Sequence, residues 1–180
     1  MIEVIASLLA LAYVIFAIYE KKVCWPLAAL SAFLYIFVYF DAKLYLEACL
    51  QLFFIAIAIK AYLLWGTEDT LFKISRISLK KHILIIAAGC SLSFILGQLL
   101  IQFSDADLPY IDAAITVFSI STTFLTAKKI LENWIYWIVI DLVAVFVYIH
   151  KELYPTAIIF FLYVILAIQG FRTWQKKFHS

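Results

Sequence analysis

Long apolar stretches alternate with short clusters of charged residues along this chain. Within the stretches the apolar positions are contiguous, as in Ile83–Ala88 and Ala157–Leu162, and lack the in-and-out alternation of a membrane β-barrel strand. Helices are therefore the expected element. Measured against the roughly 20 residues needed to cross a bilayer, the apolar windows predict seven transmembrane helices, at 2–19, 23–40, 44–65, 82–103, 110–127, 133–150 and 154–174. The first window carries an acid, Glu3, where a cleavable signal would carry positive charge, and it is read as the first helix.

Composition removes the soluble alternative. Hydrophobic residues make up 67% of the 180 and charged residues 14%, against about 45–50% and 25% in soluble domains; mean hydropathy is +1.04. Only 4 Gly and 3 Pro are available for turns, so the helices must be joined by short connections. Cys24, Cys49 and Cys90 lie in apolar stretches without C-x-x-C spacing and read as packing residues. Of the 14 basic residues, eleven fall on one face of the predicted bundle, only Lys43 and Lys151 on the other, and Lys60 within a span, where it snorkels towards the headgroups. The positive-inside rule then puts the N-terminus outside and the C-terminus in the cytoplasm, with Asp105 and Asp107 on the outer side.

A constant offset of 109 superposes Trp25 and Trp65 on Trp134 and Trp174 without a gap. The same offset pairs Phe37-Val38-Tyr39 with Phe146-Val147-Tyr148, Leu44-Tyr45 with Leu153-Tyr154, and Ile2-Glu3 with Ile111-Asp112. Matched Trp, Tyr and acid positions point to duplication of a three-helix unit. An odd number of helices per unit would invert the second copy, and the span at 82–103 supplies the extra crossing. The expected organisation is a 3+1+3 arrangement of parallel repeats: a first repeat at 1–65, a cytoplasmic loop and linker helix at 66–109, a second repeat at 110–174 and a tail at 175–180.

Polar groups within spans are costly and by default mark a cavity or a route. Trp134, Trp137, Asp141 and Tyr148, at spacings of 3, 4 and 7, put two indoles, a carboxylate and a phenol on one helical face. Indole faces attract cations and a carboxylate adds Coulomb attraction, so the face suits a flat aromatic cation. The offset pairs Trp137 and Asp141 with Ala28 and Ala32, which suggests one asymmetric site with small residues of the first half leaving room. Trp134 also suits an interfacial belt, being near the cytoplasmic end. Glu47 and Gln51 lie one turn apart; Asp112, Thr116, Ser119 and Thr123 form a stripe at spacings of 4, 3 and 4. Gln51 is deep enough for a site role, whereas simple solvation accounts for Glu47 and Asp112 as well as function does. His82, His150 and His179 have no metal-ligand spacing, and no nucleotide-binding or hydrolase motif occurs. No cofactor and no nucleic-acid partner are expected. An intramembrane enzyme would need a nucleophile and a base that converge, and Ser119 has only Asp112 to pair with.

These residues resemble the Pnu family of bacterial vitamin transporters. The resemblance rests on Glu132-Asn133-Trp134, the W-x-x-W-x-x-x-D pattern of Trp134, Trp137 and Asp141, Leu153-Tyr154 and Trp174, with Asp112-Ala113 and Lys128-Lys129 before them. Trp25-Pro26, Leu44-Tyr45, Gln51 and Trp65 match in the first half. It implies a SWEET-like fold, homotrimeric assembly in the inner membrane, and passive uptake of a B-vitamin that a cytoplasmic kinase traps by phosphorylation. The binding residues it implies, together with those read from spacing, are Trp134, Trp137, Asp141, Gln51, Asn133, Tyr148, Glu47 and Thr116. Nicotinamide riboside carriers of the family usually carry Asn where this chain has Asp141, and Tyr-Gly-Trp-Tyr where it has Lys60-Ala61-Tyr62-Leu63. These departures set thiamine slightly ahead of nicotinamide riboside as the expected cargo, with a proton- or sodium-coupled carrier as a further alternative.

Overall fold

The computed structural model describes residues 2–41, 45–65, 73–104, 107–152 and 154–179, apart from the side chains of Tyr45, Leu46, Glu47, Cys49 and Pro155. Lys43, Leu44, Asp105 and Leu153 lie outside the described residues. Seven helices run in order: α1 (Ile2–Ile18), α2 (Cys24–Asp41), α3 (Tyr45–Leu64), α4 (Leu79–Phe103), α5 (Pro109–Ala127), α6 (Asn133–His150) and α7 (Tyr154–Phe178). Five of them, α2, α4, α5, α6 and α7, are long and apolar enough to cross a membrane. The 17 residues of α1 rise about 26 Å, slightly under a hydrocarbon thickness of about 30 Å.

Two boundaries differ from the sequence windows. Helix α4 begins at Leu79, so Lys80 and Lys81 are helical, and α7 runs on through Lys176 and Lys177 to Phe178. Hydropathy marks where a helix leaves the hydrocarbon, whereas the backbone ladder continues until its hydrogen bonds stop. The outward faces are apolar, with Leu84, Phe94 and Phe146 all more than half exposed, as a lipid-facing surface requires.

Helix α4 packs on α5 through Gly89, Ser93 and Gly97, all buried, a small-residue stripe one turn apart that admits the rings of Phe118 and Tyr110. Elsewhere the packing pairs match under the 109-residue offset: α1 on α2 as α5 on α6, α2 on α3 as α6 on α7, and α1 on α7 as α5 on α3. The turns after α1 and α5 match bond for bond. Glu20 N–H donates to Ala17 O at 3.0 Å and Lys21 N–H to Phe16 O at 2.9 Å; Lys129 N–H donates to Thr126 O at 3.0 Å and Ile130 N–H to Leu125 O at 2.9 Å. Both turns pivot on a left-handed residue, Glu20 with φ 54° and Lys129 with φ 51°, a conformation that costs a side-chain-bearing residue about 1–2 kcal/mol. These two residues pair with each other, Lys129 Nζ at 2.9 Å from Glu20 Oε2, and Lys177 Nζ reaches Glu20 Oε1 at 2.8 Å. Partial burial pushes the Glu20 carboxyl up, but hydrogen bonds and charge from Lys177 and Lys129 outweigh it and hold its pKa below the ordinary value.

Helix ends leave carbonyls without intrahelical partners, and within a bilayer each costs several kcal/mol if nothing replaces water. Here tryptophans replace it reciprocally. Trp65, just beyond α3, donates from Nε1 to Ala127 O at the end of α5 at 2.9 Å; Trp174 of α7 donates to Ile18 O at the end of α1 at 3.1 Å. Trp25 meets Trp65 edge-on at 5.2 Å, Trp134 meets Trp174 edge-on at 5.3 Å, and Trp65 and Trp174 lie 6.3 Å apart. This four-indole cluster is the core between the two halves.

Gly170 makes room for it: a Cβ there would lie 2.6 Å from the Trp134 ring. Gly170→Ala should destabilise the protein by about 1–3 kcal/mol through overpacking, visible as a lower thermal midpoint in detergent. An unchanged midpoint would mean that Trp134 is free to move aside.

Candidate functional site

Helix α6 begins with Asn133 and Trp134 fully or nearly fully buried and carries Trp137 and Asp141 on its next turns. Trp134, Trp137 and Asp141 line a cavity of about 210 Å³ together with Ala10, Tyr13, Val14 and Ala17 of α1, Thr126 of α5, and Phe160, Tyr163 and Ala167 of α7. Apart from Thr126 and Asp141 the wall is aromatic and aliphatic, and among the described residues Asp141 is its one charged group and no basic residue lines it. Asp141 is only 5% exposed, and among the described residues no hydrogen-bonding or cationic side chain pairs with it. An ionised carboxylate in that position calls for a counter-charge, and among the described residues none faces it.

Trp137 is held from behind. Its Nε1 donates to Thr126 Oγ1 at 3.2 Å; that oxygen lies 3.0 Å from Asn133 Oδ1 and 3.0 Å from Thr122 O, which compete for its single proton. Asn133 Nδ2 in turn donates to Ile130 O at 2.6 Å. This chain fixes the indole orientation and leaves its ring face to the cavity. Asn133 therefore supports the site rather than lining it.

The remaining expected residues are placed differently. Tyr148 stands off the cavity and stacks on Phe160, with ring centres 5.1 Å apart, so it backs a lining residue. Gln51 is half-buried on α3 at the position that matches Phe160 under the offset, and it does not line the cavity. Thr116 is half-buried on α5 and also outside the lining. The side chain of Glu47 lies outside the described residues. Asp112 pairs with Lys151 at 3.5 Å, and Thr123 Oγ1 donates back to Ser119 O at 2.8 Å, so both of these side chains are partnered within their own half. Nor do Ala28 and Ala32 make the room: Ala28 packs against the tryptophan core, and the small lining residues are Ala10, Ala17 and Ala167.

Sequence reasoning missed Tyr13, Thr126, Phe160 and Tyr163. Ala10, Tyr13, Val14 and Ala17 do form an i, i+3, i+4, i+7 stripe, but that spacing marks any packed helix face. One usable signal was present. The offset carries Ala10, Val14 and Ala17 onto Ser119, Thr123 and Thr126, so one stripe is apolar in the first half and hydroxyl-bearing in the second.

Comparison with known proteins fits this geometry. Residues 1–176 match the model of the nicotinamide mononucleotide transporter family. The nicotinamide riboside transporter PnuC of Escherichia coli (strain K12) is 21% identical over 201 residues, covering 96% of this chain and 84% of that protein; its Shigella flexneri counterpart gives the same figures. The crystal structure of the vitamin B3 transporter PnuC superposes with a TM-score of 0.80 at 21% identity, covering 99% of this chain and 83% of that one. With a match across nearly its full length and a bundle of apolar helices around a buried cavity, this chain belongs to the nicotinamide mononucleotide transporter family of multi-pass membrane proteins.

Proposed function

We propose that this protein is a facilitative uptake carrier for a small, cationic, aromatic B-vitamin, bound between Trp137 and Asp141. The observation that carries the reading is Asp141, buried and without a partner among the described residues, in a cavity otherwise walled by aromatic and small residues. A fixed positive ring supplies the missing counter-charge and stacks on indole and phenol faces. At about 210 Å³ the cavity is below the about 300–1,000 Å³ of drug-sized sites, which favours a compact ligand. An acid without a basic partner in the lining disfavours a phosphorylated ligand, so the dephosphorylated vitamin is the cargo. The names of the relatives favour nicotinamide riboside. Thiamine is the second reading, on the strength of Asp141 where nicotinamide riboside carriers of the resembled family have Asn.

On this reading Trp134, Trp137 and Asp141 are contact residues, Asn133 and Tyr148 are their supports, and Gln51, Glu47 and Thr116 are residues the ligand meets once the halves rearrange. The chain divides into repeats at 1–65 and 110–174, joined by 66–109 and closed by a tail at 175–180. It works as a homotrimer in the bacterial inner membrane, and a cytoplasmic kinase traps the vitamin.

Trp137→Ala should weaken binding of the vitamin by about 1–3 kcal/mol, roughly 5- to 150-fold in Kd, with the thermal midpoint little changed. Calorimetry against nicotinamide riboside, thiamine and riboflavin reads both the affinity and the cargo; unchanged affinity would remove Trp137 from the site.

Orientation is tested by labelling. Cysteines placed at Lys73 or Ser180 should be shielded from an impermeant external reagent, and one at Asp107 should be labelled; the reverse would overturn the charge count.

Energy coupling is constrained by the single buried acid in the cavity, already committed to the cargo. Transport into liposomes, with membrane potential clamped at zero, should level off at equal concentrations without a proton or sodium gradient. Uphill accumulation driven by either gradient would replace the passive reading with a coupled one.

A further inference from the structure

The cavity is closed at one end by residues that the transport reading leaves without a role. Its lining residues Ala17 and Thr126 each lie three positions before the left-handed residues Glu20 and Lys129, and Ala167 precedes Trp174 by two turns. Beyond the cavity floor the indoles of Trp65 and Trp174 form one layer, and the Glu20, Lys129 and Lys177 side chains form the next. Lys129 is bound from two directions, its Nζ 4.8 Å above the Trp65 ring and 2.9 Å from Glu20 Oε2. Glu20 and Lys129 side chains are only 16% and 13% exposed, so the pair is sheltered from screening in a way that surface pairs are not. Among the described residues, the ion pairs that join the α1 end to the second half are these two of Glu20. On the opposite face Asp112–Lys151 stays within the second half and His150–Asp107 joins it to the linker segment, so neither reaches the first half.

We infer that Glu20, Lys129 and Lys177 form a gate across the two halves that keeps the cavity shut toward the basic face, and that it must part for the ligand to leave there. Glu20 sits on the turn after α1, Lys129 on the turn after α5 and Lys177 near the end of α7, so separating the end of α1 from α5 and α7 breaks both ion pairs at once. The Trp174–Ile18 bond and the Lys129–Trp65 contact lie in the same seam. Loss of Glu20 leaves both lysines without their carboxylate, and loss of Lys129 leaves Glu20 with Lys177 alone; either weakens the closed seam and raises the open population. Glu20 and Lys129 are thus gating residues, acting through access to the cavity and touching no ligand.

The gate rests on the cavity being the ligand site, and the experiment separates the two. A protein whose only cysteine is Ala167→Cys, in the cavity wall, is reconstituted and exposed on its basic face to an impermeant thiol reagent. Labelling should be slow in the parent and rise about tenfold in Glu20→Gln and in Lys129→Met, with the double variant adding little to either. Glu20→Asp, which keeps the charge, should stay near the parent, and vitamin affinity by calorimetry should be retained in all four. Parent-like labelling in both single variants, or loss of fold in both, would overturn the gate. If the vitamin fails to bind the parent or to protect the cysteine at position 167, the site reading falls, while the labelling contrast still decides the gate.

Discussion

Two tryptophan N–H groups hold the halves of this bundle together. The last carbonyls of α1 and α5 have no partner within their own helices, and each accepts from a tryptophan of the opposite half, Ile18 from Trp174 near the end of α7 and Ala127 from Trp65 just beyond α3. In a bilayer such bonds have no competitor from water, and the indoles that make them also supply the packing of the seam. Much of the remaining architecture depends on this exchange. It fixes where α1 and α5 end, brings Glu20 against Lys129, and sets the floor of the cavity against Trp134.

On that near-symmetric frame the cavity is asymmetric. The second half supplies the indole of Trp137 and the carboxyl of Asp141, where the first has Ala28 and Ala32; the first half supplies Tyr13 and Val14, where the second has Thr122 and Thr123. A two-fold site would present two carboxylates to one ligand, and like charges in a low dielectric repel. One acid, one anchored indole and a facing apolar stripe instead make the cavity one-sided.

Hydropathy made the seven helices legible, since the bilayer requires long apolar segments and the sequence has little turn material. It misplaced the start of α4 and the end of α7, where Lys80, Lys81, Lys176 and Lys177 are helical outside the hydrocarbon. The site was half legible. Trp134, Trp137 and Asp141 stand out because polar and aromatic groups at helical spacing are conspicuous in apolar surroundings. Tyr13, Phe160 and Tyr163 do not, because an aromatic residue in an apolar helix looks the same whether it faces a cavity, a neighbour or lipid. Gln51 and Thr116 show the converse: they do not line this cavity, because polarity alone does not say which side of a helix meets it.

The sequence by itself determined the helical class, the repeat at an offset of 109 and the W-x-x-W-x-x-x-D face, because each is a regularity carried along one helix or between two aligned stretches. Only the tertiary structure decided that Thr126 and Asn133 anchor Trp137, that Asp141 has no partner among the described residues, and that Glu20 meets Lys129 beneath the tryptophans. The physical reason is that these are relations between helices. Spacing within a helix fixes which residues share a face, but which faces meet is set by how the bundle closes, here by indole donors reaching helix-end carbonyls across the seam.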